Sequence, residues 1–241
     1  MKVFDRAIFG ASAFCCGMNL SKKDVVVEKN IFCAVEFCQS FNINKVNSNG
    51  KFLTEELKKR NILGNDGFYS PLPVSAFLAK ILKQKNTNVL FDCKVTSVEK
   101  KDNGFLIEYF SQSGFNKIFA KEIVDTTSLG VFSQLREYTN KHYIAALDGF
   151  CGKTGDFEIM KGHLKNEYFL KISAENLDYI SARKRLLEIS EKNNFVIASF
   201  ASEFSFSYNE KFLKKDNNYS FVPSASFANF AEAFKAGGEW Q

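Results

Sequence analysis

The sequence predicts an α/β fold: a parallel sheet built on a βαβ unit, with an antiparallel β insert, joined to a smaller antiparallel α+β region. Three observations lead there. Val3–Asn30 reads as strand, tight turn, helix and strand, with an acidic residue at the end of the second strand. Between 94 and 120 the pattern changes to short strands separated by Asn103-Gly104 and Ser113-Gly114, two strong hairpin signals. Beyond residue 140, strand-like runs are joined by Gly, Asn and Asp turns around one long helical pattern.

Val3–Phe9 is apolar apart from Asp5 and Arg6, which suits a mostly buried parallel strand. Gly10-Ala11-Ser12-Ala13 are all small, so the chain can turn sharply and let another group approach its backbone. Ala11–Leu20 has the length of about three helical turns. Val25-Val26-Val27 is a second buried strand, with Glu28 at its carboxyl end and Lys29 beside it. This is the layout of the first half of a dinucleotide-binding fold. There, N–H groups at a helix start face a pyrophosphate and an acid accepts hydrogen bonds from a ribose. Glu28 follows Gly10 by 18 positions, close to the ~20-residue offset of the fingerprint. The three glycine positions of that fingerprint read Gly10, Ser12 and Cys15.

Asn30–Gly50 is mixed and Asn-rich and is expected to loop over the mouth of the nucleotide cleft. Phe52–Asn61 predicts a short amphipathic helix with acids near its start and bases near its end. Val74–Gln84 carries a helical apolar stripe at 74, 77, 78, 81 and 82. Val89–Phe91 is a buried strand; Lys94–Lys100, Phe105–Phe110 and Asn116–Ala120 form the antiparallel insert, and Ile123–Thr127 returns to the parallel type. A helix is expected over Val131–Tyr138. Strands follow at Tyr143–Leu147, Phe157–Lys161 and Tyr168–Ile172, a helix at Ala174–Lys192, one long strand at Phe195–Tyr208, and a last helix at Ser224–Gly237. The expected division is a discontinuous nucleotide-type domain, 1–140 with 218–241, and a substrate-type region, 141–217.

A chain of 241 residues with 45% hydrophobic and 24% charged residues has ample material for a core and the balance of a soluble globular protein. The net charge of +5 is spread along the chain, without the basic stripe interleaved with stacking aromatics that nucleic-acid binding requires. No apolar run approaches the ~18 residues of a membrane span, and Lys2, Asp5 and Arg6 argue against a signal peptide. The expected location is the cytoplasm. Cys15, Cys16, Cys33, Cys38, Cys93 and Cys151 fit reduced, buried thiols there, and without a CxxC pair no metal site is expected.

Three stretches carry a family resemblance: GASAFC with VVVEKN; PLPVSAFLAKILKQKNTNVLFDCKVTSVEKKDNGFLIEYF; and AKEIVDTTSLG. They resemble flavoproteins of the two-dinucleotide-binding-domain type, within the FAD-dependent oxidoreductase superfamily. The closing ASFANFAEAFKAGG is similar to that family's last cofactor-contacting helix. The resemblance implies FAD as cofactor and a Rossmann-like FAD-binding domain carrying the insert. Its site residues would be Gly10, Ala11, Ser12 and Ala13 at the pyrophosphate, Glu28 and Lys29 at the ribose, the Val95 backbone at the adenine, and Thr127, Ser128 and Asn229 along the cofactor.

The chain departs from that pattern at Ser12 and Cys15, at Cys33-Ala34 where the family has Gly-Gly, and at Ser128 where it has glycine. Each change adds a side chain where backbone should meet cofactor. The expectation is non-covalent FAD held less tightly than where the glycines remain, in an oxidoreductase acting on a small organic molecule. The alternative is a non-catalytic binding protein on the same fold. No catalytic acid or base is singled out: His142 and His163 lie in the substrate half, and Arg136, Arg183 and Arg185 could hold a carboxylate.

Overall fold

The computed structural model describes residues 1–47, 51–131, 138–149, 157–208 and 214–240, with backbone only at 51–52 and 214–216. Most of the helix expected over Val131–Tyr138 falls outside these residues, as do Arg136 and Cys151.

The first strand, β1 (Lys2–Phe9), is followed by helix α1 (Ala13–Gly17) and strand β2 (Asp24–Val27), and then by three helices, α2 (Val35–Cys38), α3 (Lys51–Lys59) and α4 (Pro71–Gln84). Strands β3 (Asn88–Leu90), β4 (Lys94–Lys101), β5 (Gly104–Ser111) and β6 (Gly114–Asp125) come next. In the second half, β7 (Asn140–Asp148), β8 (Glu158–Lys161), β9 (Glu167–Ser173), α5 (Tyr179–Asn193), β10 (Ile197–Phe200) and β11 (Ser205–Ser207) precede the closing β12 (Lys214–Asp216), β13 (Tyr219–Phe221) and α6 (Phe230–Gly238).

The first sheet has the order β12-β13-β6-β1-β2-β3, with β4 and β5 continuing as an antiparallel meander from β6. β1 pairs parallel with both β2 and β6, β2 with β3, and β13 with β6. One edge of β6 is shared: its first half pairs with β5 and its second half with β13. The two strands expected at 116–120 and 123–127 are therefore a single twelve-residue strand, which keeps the meander and the parallel core in one sheet. Both faces of its centre are covered. Ile8, Val26 and Val124 enter the larger core cluster on one side, while Phe9, Val25, Val27 and Ile123 pack on the other with Phe105, Ile107 and Ile118. Two-sided burial is why β1 and β2 read as apolar runs without alternation.

The second sheet is antiparallel, β10-β7-β9-β8, with β11 also on β7. Phe195–Tyr208 is two short strands rather than one long one. They break at 201–204, where Ala201 N–H donates to Ile144 O, Ser202 N–H to Gln39 O, and Tyr143 Oη to Ala201 O. Helix α5 starts at Tyr179, later than expected, because Asp178 accepts the Ser181 N–H and caps it. Likewise α6 starts at Phe230, with Asn229 accepting the N–H groups of Ala231 and Glu232.

Two further expectations are corrected. Helix α1 has five residues, not ten: Lys85 Nζ takes the Gly17 and Met18 carbonyls and Arg6 takes the Asn19 carbonyl, so those acceptors serve side chains instead of another turn. Much of the stretch expected to loop over the cleft mouth is packed inward instead, with Val35 and Glu36 at the cavity. Cys33, Ala34, Phe37, Cys38, Phe41, Ile43 and Val46 belong to the core, and α2 lies within it.

Helices α1 and α6 cross at glycine on both sides. A Cβ on Gly17 would lie 1.9 Å from Phe234 O, and one on Gly237 would lie 2.0 Å from Phe14 O. Backbone fills the place of each side chain, so glycine is what permits this close approach. Gly237→Ala should therefore destabilise the protein by about 2 kcal/mol, in the range of overpacked cores, read as a lower urea midpoint. An unchanged midpoint would show that α6 can move off α1 without loss.

Candidate functional site

A cavity of about 310 Å³ opens at the carboxyl ends of β1, β2 and β6. It lies at the lower end of the ~300–1,000 Å³ typical of ligand pockets. Its floor is Gly10 and Ser12 after β1, Val27, Glu28 and Lys29 at the end of β2, and 126–131 after β6. Cys93, Lys94 and Val95 close one side, Val35 and Glu36 of α2 another, and Glu203, Phe204 and Phe206 from the second sheet form the far wall. Of the residues anticipated for the site, Gly10, Ser12, Glu28, Lys29, Val95, Thr127 and Ser128 are in this lining, and Ala11, Ala13 and Asn229 are not. Asn229 is buried at the start of α6, its side chain engaged with Ala231, Glu232 and the Lys45 carbonyl.

Gly10 sits at φ +88°, a left-handed conformation, and a Cβ there would come 3.1 Å from Thr126 Oγ1. Thr126 holds the turn from the other side: its hydroxyl lies within hydrogen-bonding distance of the Phe9 and Gly10 carbonyls and receives the Ser12 hydroxyl at 2.7 Å. Asp125, fully buried at the end of β6, organises 126–131 by accepting from Thr127 N–H and Oγ1, Val131 N–H and Tyr219 Oη. Burial pushes its carboxyl above the usual range, with these donors opposing. Lys29 pairs with Glu203 at 2.9 Å, tying β2 to the second sheet across the cavity.

Apart from that of Ser12, the backbone amides of the first turn find partners inside the chain. Gly10 N–H donates to Val27 O, Ala11 to Glu28 Oε2 at 2.8 Å, Ala13 to Glu36 Oε1 at 2.9 Å, Phe14 to Ser224 Oγ, Cys15 to Ser12 Oγ at 3.0 Å and Cys16 to Ser12 O. Glu28 Oε1 also receives the Asn30 N–H and Nδ2, so its carboxylate is folded back on the chain at 4% exposure. Glu36 is the site residue that sequence reasoning missed. It is a single acid inside the apolar run Cys33–Cys38, and that isolation was the signal. Its Oε1 accepts from both Ala13 N–H and Ser224 Oγ.

Residues proposed for a dinucleotide can be tested on this donor set. A pyrophosphate needs several free N–H groups at the start of α1; those of Ala11, Ala13, Phe14 and Cys15 are engaged internally, two of them by carboxylates, and only the Ser12 N–H has no partner among the described residues. The Glu36–Ser224 hydrogen bond also joins α2 to the 224–226 turn directly over that start. An extended FAD does not fit these residues as they are arranged.

The other candidates lie elsewhere. His142 is on β7 opposite Ser205; its Nδ1 and the Ser205 hydroxyl are buried without hydrogen-bond partners among the described residues, and burial lowers the imidazole pKa. His163 shares a hydrogen bond with Asn61, and Arg183 Nε donates to Tyr143 Oη. None of the three lines the cavity. Cys15, Cys16, Cys33 and Cys38 are fully buried under it. Burial pushes the Cys15 and Cys38 thiols up, and a hydrogen bond to Cys33 together with burial does the same for Cys16. They behave as packing residues. Among the described residues no cluster suits a metal ion, and no helix is long and apolar enough to cross a membrane.

Burial pushes the Glu36 carboxyl from 4.5 up to about 7, against the hydrogen bonds from Ser224 and Ala13. The folded protein thus keeps this proton at a pH where the unfolded chain has lost it. Its stabilising effect is complete below about pH 4.5 and is lost as pH rises through about 7. The full span is worth roughly 3 kcal/mol. Glu36→Gln should flatten the decline in stability between those pH values, measured by urea unfolding at pH 5, 6, 7 and 8. A slope identical to the parent's would mean that Glu36 does not titrate there.

No protein-family profile matches the chain, and no curated protein does. Solved structures do match it. The myxobacterial chondrochloren halogenase CndH, a variant of FAD-dependent halogenases, aligns over 98% of this chain and 73% of its own at 13% identity and a TM-score of 0.64. A geranylgeranyl bacteriochlorophyll reductase-like protein of Thermoplasma acidophilum aligns over 99% and 77% at 9% identity, also at 0.64. AlpK aligns over 98% of this chain at 12% identity and 0.56, and this chain spans only 60% of AlpK's length. At such identities the likeness is one of fold: the chain has the FAD-binding oxidoreductase fold, its parallel-cored sheet set against a second, antiparallel sheet.

Proposed function

We propose that this chain is a small-molecule-binding protein on the FAD-binding oxidoreductase fold, and that its cavity takes a phosphate-free organic ligand of about nucleoside size. The observation that carries the reading is the internal engagement of the first-turn amides by Glu28, Glu36, Ser224 and Ser12. The lining supports it. Above about pH 7, where Glu36 is ionised too, three carboxylates, Glu28, Glu36 and Glu203, line the cavity with two lysines, Lys29 and Lys94, so the cavity does not favour a dianion. Phe204, Phe206, Leu129 and Val131 offer apolar surface, while Glu28 retains acceptor capacity for a hydroxyl-bearing ligand.

The second reading is an FAD-dependent oxidoreductase acting on a small organic substrate. It is favoured by the position of the cavity at the carboxyl ends of the parallel strands beside Glu28, in a fold shared with FAD-dependent enzymes. If FAD bound, it would supply redox chemistry, and Gly10, Ser12, Glu28, Val95, Thr127 and Ser128 would be the residues nearest to it.

Flavin fluorescence during an FAD titration separates the two. The expected outcome is no saturable change up to ~100 μM, where even a site worth roughly 5–6 kcal/mol would be substantially filled. In parallel, adenosine, as a phosphate-free probe of nucleoside size, should raise the melting temperature in a saturable manner. A stoichiometric, saturable flavin signal would return the site to the oxidoreductase reading.

A further inference from the structure

Glu36 lies on α2, a helix of only four residues, and is 5% exposed. Its carboxylate does for three segments what a bound anion does in a phosphate site. Oε1 receives the Ala13 N–H of α1 at 2.9 Å and the Ser224 hydroxyl at 2.5 Å. Ser224 Oγ in turn lies 3.3 Å from the Phe14 N–H. Residues 13, 36 and 224 are thus joined through one oxygen. The placement of α2 is fixed independently of this contact. Ala34 takes a left-handed conformation at φ 53°, and its N–H donates to Ala11 O at 2.8 Å, which presses the first turn of α2 onto the turn after β1.

We infer that Glu36 is a built-in replacement for a ligand diphosphate: it occupies the donors such a group needs and excludes diphosphate ligands from the cavity. This rests on the reading of the cavity as a site for phosphate-free ligands, and it names the residue that sets that preference. The physical reasons are two. A diphosphate would have to take Ala13 N–H and the Ser224 hydroxyl away from a buried carboxylate, leaving that carboxylate with lost partners in a place of low solvent access. It would also bring negative charge beside Glu36 and Glu28 together.

The experiment measures binding of ADP, FAD and adenosine to the parent, Glu36→Ala and Glu36→Gln proteins by calorimetry at pH 8.5, above the value of about 7 reached by the Glu36 carboxyl, where it carries its charge, with circular dichroism and a thermal melt to establish folding. The parent should give no saturable signal with ADP or FAD at ~100 μM. Glu36→Ala frees both donors and removes the charge, so ADP should bind at least tenfold more tightly than to the parent, with adenosine affinity changed less than threefold. Glu36→Gln preserves side-chain volume and an acceptor for Ala13, and so reports even if the Ala protein fails to fold. It should bind ADP about threefold more tightly than the parent, through loss of charge alone. A folded Glu36→Ala protein, or failing that a folded Glu36→Gln protein, with ADP affinity no better than the parent's overturns the inference. That result leaves the proposed function standing if the parent still ignores FAD. Saturable FAD binding by the parent overturns the proposed function itself.

Discussion

Backbone amides at the carboxyl edge of a buried parallel sheet are costly to leave without acceptors, and in this protein acids accept many of them. Glu28 receives Ala11 and Asn30, Glu36 receives Ala13, and Asp125 receives Thr127 and Val131. Each acid is almost wholly buried, and burial pushes each carboxyl above its ordinary range. The cost of taking a carboxylate out of water is offset only because the donors are fixed backbone and hydroxyl groups. These turns therefore hold their shape without a ligand.

The rest of the architecture brings those acids to one place. β6 pairs with β1 along most of its length and divides its other edge between β5 and β13, so Asp125, Gly10 and the start of the 224–226 turn are adjacent. The Gly17–Gly237 crossing brings α1 against α6 and sets how far Ser224 stands from Phe14. The second sheet then closes the far side with Phe204 and Phe206, and the Lys29–Glu203 ion pair links it to β2. That pair is partly exposed and adds little stability. Its effect is to hold the cavity wall in register with the end of β2.

The buried thiols under the cavity follow the same economy of space. Cys15 lies in the middle of α1, and Cys33 and Ala34 lead into α2. All three are fully buried beside α1 and α2. Their small side chains fill the space between α1 and α2 beside the Glu36–Ala13 hydrogen bond.

Local pattern determined a good part of this fold. The apolar runs at 3–9 and 25–27, the Asn-Gly and Ser-Gly hairpins and the stripe at 74–82 each report burial or turn geometry within a few residues, and each is an element in the structure. Gly10 and Glu28, 18 positions apart in sequence, both line the cavity. What sequence could not determine was anything depending on a partner far along the chain. Whether α1 runs three turns or one and a half depends on Lys85 and Arg6 taking its last carbonyls. Whether 195–208 is one strand depends on Gln39, and the place of Asn229 on the cap of α6. Above all, Glu36 reads in sequence as one charge in an apolar segment. Only the tertiary structure sets it between Ala13 and Ser224, 188 positions apart from the latter, because a carboxylate's role is decided by which donors the fold carries to it.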